Sequence, residues 1–120
     1  MKFVTKRIHA FLDYPVALAL IGLPFLLGLG SSNPLALYLS VATGVAAFIL
    51  TVLTDHHLGL FKVIPYSWHL AVDFAVALVF ILAPIIFSFE GIDALYYWIN
   101  GAAVLVVVSL HKPELTNANG

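Results

Sequence analysis

The 120-residue sequence predicts an all-α integral membrane protein, with four transmembrane helices arranged as two tandem parallel two-helix repeats. Three observations lead there. The segment from His9 to Leu29, HAFLDYPVALALIGLPFLLGL, returns sixty residues later as HLAVDFAVALVFILAPIIFSF, with seven of the 21 positions identical. Polar residues recur along with apolar ones, so the repeated unit includes a His-x-x-x-Asp pair and a proline. Hydrophobic residues make up 62% of the chain and charged ones 9%, with a mean hydropathy of +1.07; one small core cannot hide that much apolar surface, and the surplus faces lipid. Finally, four apolar stretches separated by turn formers approach the ~20 helical residues that span a hydrocarbon core of ~30 Å.

The first stretch runs approximately from Tyr14 to Gly30. Asp13-Tyr14-Pro15 reads as its start, because Asp is a good N-cap and proline is tolerated in a first helical turn. It closes at Gly30-Ser31-Ser32-Asn33-Pro34, a cluster of turn residues. The second stretch, Leu35 to Thr54, contains Gly44, Ala46 and Ala47, small residues that let membrane helices approach closely. The connection from Asp55 to Trp68 is longer and holds Lys62 and Pro65, which makes it the joint between a first hairpin, residues 1–60, and a second, residues 61–120. The third stretch is His69 to Phe89, and the fourth, Ala94 to Leu110, carries Gly101, Ala102 and Ala103 where the second has its small residues. Short loops within each hairpin make its two helices antiparallel. Pro24 and Pro84, late in the first and third stretches, free a carbonyl one turn earlier and are expected to kink those helices.

All five basic residues, Lys2, Lys6, Arg7, Lys62 and Lys112, fall on one side of this arrangement, and the opposite loops contain only Glu90 and Asp93. By the positive-inside rule the basic side, with both termini, is cytoplasmic. Two spans per unit insert both copies in the same orientation, related by a pseudo-twofold along the membrane normal. Lys6-Arg7 and the apolar run up to Gly28-Leu29-Gly30 imitate a secretory signal, but the third stretch has the same pattern in mid-chain, so the first is expected to be retained. Tyr38, Tyr96, Tyr97 and Trp98 on the outer side, and Tyr14, Tyr66 and Trp68 on the inner, read as interfacial aromatic belts. A net charge of -1 and the lack of any longer basic run argue against nucleic acid as a partner. With no cysteine, the chain has no disulfide, thiolate metal site or thiol nucleophile.

Chemistry concentrates at the cytoplasmic helix ends, in His9, Asp13, Asp55, His56, His57, His69, Asp73 and His111. His9 and Asp13, like His69 and Asp73, are four apart and share a helical face. A carboxylate in a span is costly and needs a protein or water partner. The leading expectation is a polar clasp in which His9 bonds Asp73 and His69 bonds Asp13 across the two repeats, with no cofactor. The alternative is a transition-metal site, since His9, Asp13, His69 and Asp73 supply two imidazoles and two carboxylates, a set suited to zinc, iron or manganese, with Asp55, His56 and His57 as supplements. Haem held by His9 and His69 is a further alternative. A complete proton path is not expected, because no ionisable side chain continues through the spans. Ordinary enzyme classes lack support, as there is neither a nucleophile elbow nor a Gly-rich phosphate loop.

Lys6-Arg7-Ile8-His9-Ala10-Phe11-Leu12-Asp13-Tyr14, the run from Leu53 to Pro65, His69-Leu70-Ala71-Val72-Asp73, Ala83-Pro84 and Asn100-Gly101 together resemble the SPW-repeat family of small bacterial membrane proteins. The resemblance implies two tandem two-helix repeats in a bacterial inner membrane. It places Leu23-Pro24-Phe25 and Ala83-Pro84-Ile85 where relatives carry Ser-Pro-Trp. The functional expectation is a small non-enzymatic structural or accessory protein of the lipid bilayer, forming a homo-oligomer or joining a larger membrane complex.

Overall fold

A computed structural model describes residues 6–54 and 64–110, together with their side chains except those of 6–10 and 66. These residues form four α-helices: α1 (Lys6–Leu26), α2 (Leu35–Leu53), α3 (Tyr66–Ile86) and α4 (Gly91–Ser109). Three of them, α2, α3 from Ser67 and α4, are long and apolar enough to cross a membrane. In α1 the apolar run is shorter, Phe11–Leu26. Side chains such as Phe25, Leu26, Phe74, Ile85 and Ile99 lie exposed on the outside, as lipid-facing residues do.

The helix starts differ from expectation in one informative way. Instead of beginning at Asp13, α1 begins at Lys6, so Asp13 and Pro15 lie inside it and Asp13 does not cap it. The fixed φ of proline suits a helix, and although Pro15 withholds one N–H and crowds the carbonyl one turn earlier, α1 runs through it from Lys6 to Leu26. Asp13 instead meets His69 of α3.

Helices α1 and α3 stop in the same manner. Leu29 N–H donates to Pro24 O at 2.9 Å and Gly28 N–H to Phe25 O at 3.3 Å, with Gly28 in the left-handed region at φ 67°, a Schellman ending. Sixty residues on, Phe89 N–H donates to Pro84 O at 3.0 Å and Ser88 occupies the left-handed position at φ 57°. Pro24 and Pro84 each sit two residues before the last residue of their helix.

Packing within each hairpin depends on one glycine. A Cβ on Gly44 of α2 would lie 2.7 Å from Ile21 Cγ1 and 2.8 Å from Ala17 O of α1; a Cβ on Gly101 of α4 would lie 2.8 Å from Ile81 Cγ1 and 3.0 Å from Ala77 O of α3. The backbones therefore touch, and dispersion replaces the hydrophobic drive that lipid abolishes.

The hairpins meet each other mainly at their ends. At the loop end lies the core, with Leu20, Phe80, Phe89, Tyr96 and Tyr97 in one buried cluster. Tyr96 and Tyr97 are thus not belt residues as expected, whereas Tyr38 and Trp98 are exposed. Their hydroxyls explain the difference: Tyr97 O–H donates to Ala36 O at 2.7 Å, and Tyr96 Oη lies 2.6 Å from Ser40 Oγ. Ser40 in turn donates to Leu20 O at 2.8 Å, the carbonyl that Pro24 cannot serve. With its only hydrogen given to that carbonyl, Ser40 receives the Tyr96 proton.

Candidate functional site

The opposite end of the bundle is organised by His69. It lies in the first turn of α3, after Pro65, and its side chain is 2% exposed. Nε2 stands 3.1 Å from Asp13 Oδ2 on α1 and 3.4 Å from Asp73 Oδ2 one turn along α3. Nδ1 lies 2.7 Å from Thr54 Oγ1, at the C-terminal boundary of α2. The role of each ring nitrogen follows from Thr54, whose hydroxyl donates to Leu50 O at 2.5 Å. That uses its one hydrogen, so His69 Nδ1–H donates to Thr54 Oγ1, and because a carboxylate only accepts, the clasp to Asp13 and Asp73 is made by the ring with a second N–H at Nε2, the imidazolium form. Backbone adds a further tie here, because Ile64 N–H donates to Leu53 O at 2.7 Å and brings the chain preceding α3 against the end of α2.

Of the residues singled out in the sequence, Asp13, His69 and Asp73 come together, with one ligand-capable atom from each inside 4.8 Å of the others. In the expected reciprocal clasp His69 pairs with Asp13, and these two side chains stand 3.1 Å apart. Its other half needs the His9 side chain, which lies outside the described side chains, and Asp55, His56, His57 and His111 lie outside the described residues. Thr54 is not legible as a site residue in the sequence, since it reads as the last position of an apolar run beside the more conspicuous Asp55.

Asp93 is the second polar centre, and sequence reasoning passed over it. It is fully buried in the first turn of α4, where a helix N-terminus favours negative charge. Oδ1 accepts Gly30 N–H at 2.9 Å, and Oδ2 accepts Ser32 N–H at 3.0 Å and Ser32 Oγ–H at 2.6 Å. Glu90 N–H donates to Ser32 Oγ at 3.0 Å and Asn33 Nδ2–H to Phe87 O at 3.1 Å, so the two hairpin loops are laced together. The available signal was an acid facing a Gly-Ser-Ser loop across the same membrane side.

No family model, curated protein or solved structure matches this chain. The site is therefore read from its own chemistry. Between the two closed ends the hairpins part around a cavity of about 610 Å³, to which all four helices contribute. Asp13, His69 and Asp73 form its polar end, and the remaining wall is mostly Leu, Val and Ala, with Thr43, Thr51 and Asn100 as neutral polar exceptions.

Proposed function

We propose that this chain is a small non-enzymatic inner-membrane protein, a structural or accessory subunit, in which a His/Asp clasp joins two copies of one hairpin. One observation carries the reading: the single ring of His69 reaches Asp13 of α1 through Nε2 and Thr54 of α2 through Nδ1 while standing on α3. A buried polar group satisfied on both sides fixes register between apolar surfaces that would otherwise slide. The duplication is supported by the equal spacing of α1 and α3, the matched Schellman endings and the paired contacts of Gly44 with Ala17 and Gly101 with Ala77. Four spans with cytoplasmic termini, a bacterial inner membrane and kinship with SPW-repeat proteins belong to the same proposal, supported by the distribution of basic residues and the quoted resemblance. The test is His69→Phe in detergent-purified protein. Loss of the clasp lowers the midpoint of thermal unfolding, by an amount corresponding to about 2–4 kcal/mol, because two carboxylates and a hydroxyl lose their partner. An unchanged midpoint overturns the clasp. Sizing after gentle solubilisation tests the accessory role, and migration only as a free monomer counts against it.

A metal reading is favoured by one specific feature. Ligand atoms ~2.1 Å from a tetrahedral ion stand about 3.4 Å apart, close to the 3.1 and 3.4 Å from Nε2 to the two carboxylate oxygens. The Nδ1–H bond to Thr54 is also what orients a metal-binding imidazole. Elemental analysis decides: a stoichiometric transition metal lost in Asp73→Asn supports this reading, and less than about a tenth of an equivalent removes it. Haem fits less well, because both ring nitrogens of His69 are engaged.

A further inference from the structure

The clasp and metal readings use only the polar end of the cavity between the hairpins; its apolar remainder has no part in either, and the whole lining is informative. Leu12 and Val72, Asp13 and Asp73, and Val16 and Val76 all line it, each pair sixty residues apart on α1 and α3. Thr43 and Asn100, Ala46 and Ala103, and Ala47 and Val104 pair in the same way, fifty-seven apart on α2 and α4. The space therefore draws on matching positions of both hairpins. Its volume of about 610 Å³ lies within the ~300–1,000 Å³ of pockets that hold drug-sized molecules. Ala46 and Ala103 are exposed toward it, so its width is set by small side chains.

Charge decides the occupant. Among the described lining residues there are two carboxylates, one imidazole and no lysine or arginine, and everything charged lies at one end. A carboxylate has several acceptor lone pairs, so Asp13 and Asp73 hold His69 and still line the cavity with oxygen. In apolar surroundings such oxygens attract a positive charge far more strongly than in water and repel a negative one.

We propose that this cavity is a binding site for a lipophilic monovalent cation, an apolar body that fills the Val/Leu/Ala chamber and rests its positive charge beside Asp13 and Asp73. Such a molecule reaches the site from the bilayer, where it partitions. The binding site is independent of whether the clasp stabilises the fold.

Equilibrium dialysis of the full-length detergent-purified protein against tetraphenylphosphonium and its anionic isostere tetraphenylborate tests this. Expected are saturable, near-stoichiometric binding of the phosphonium, none of the borate, and affinity at least ~10-fold weaker in Asp73→Asn. Ala46→Phe and Ala103→Phe fill the chamber without touching His69, and each should abolish binding while leaving the unfolding midpoint unchanged, which separates this proposal from the clasp. Equal uptake of both ions, non-saturable partitioning, or undiminished binding in the Phe variants overturns it.

Discussion

Thr54 owns one hydroxyl hydrogen, and the way it spends that hydrogen sets the chemistry of its neighbour. Because Leu50 O takes it, His69 must donate from Nδ1, and Nε2 is left for the aspartates. Thr54→Val removes the acceptor from a buried N–H and is expected to lower stability by about 1–3 kcal/mol, whereas Thr54→Ser keeps both bonds and stays near the original value; thermal unfolding in detergent followed by circular dichroism compares them. At this scale the sequence was half legible. His69 and Asp13 could be paired from repetition alone, since sixty-residue spacing places like residues at like depth. Thr54 and Asp93 could not, because a threonine closing an apolar run and an acid in a turn look ordinary until the chain brings His69 to the first and Gly30 and Ser32 to the second.

Glycines separate the roles of the helices. Gly44 lies so close to α1 that an added methyl meets the backbone oxygen of Ala17 at 2.8 Å, and Gly44→Ala is expected to push α2 from α1 at a cost of about 1–3 kcal/mol. Gly22, on α1, has nothing within 4 Å of an added Cβ, so Gly22→Ala should stabilise by about 0.5–1 kcal/mol through the unfolded chain alone. Opposite shifts of the unfolding midpoint in these two variants would verify the packing, and a destabilised Gly22→Ala would contradict it. Helix identity and hairpin pairing were readable from hydropathy and turn residues. The start of α1 was not, since Asp13-Tyr14-Pro15 carries the local signature of a first turn, while in the structure Asp13 lies within α1 and pairs with a distant histidine instead of capping.

As a whole, the molecule is two hairpins fastened at both ends around a hollow middle. From Asp13 to Leu26 α1 rises ~20 Å at 1.5 Å per residue, so the His69 and Asp93 centres are far enough apart to act independently. Asp93→Ala strips the acceptor from three donors and is expected to cost about 3 kcal/mol. Combined with Asp13→Asn, its effect should add to within ~0.5 kcal/mol; a larger coupling, measured as a double-mutant cycle of unfolding midpoints, would mean that the hollow transmits strain from end to end. The fastenings described are noncovalent and join α1, α2 and their loop to α3 and α4 through residues on either side of 55–63. A polypeptide interrupted there should accordingly reassemble: residues 1–60 and 61–120 produced as separate chains in one cell should copurify on a tag carried by either fragment. The two halves would then behave as partners that happen to share a gene.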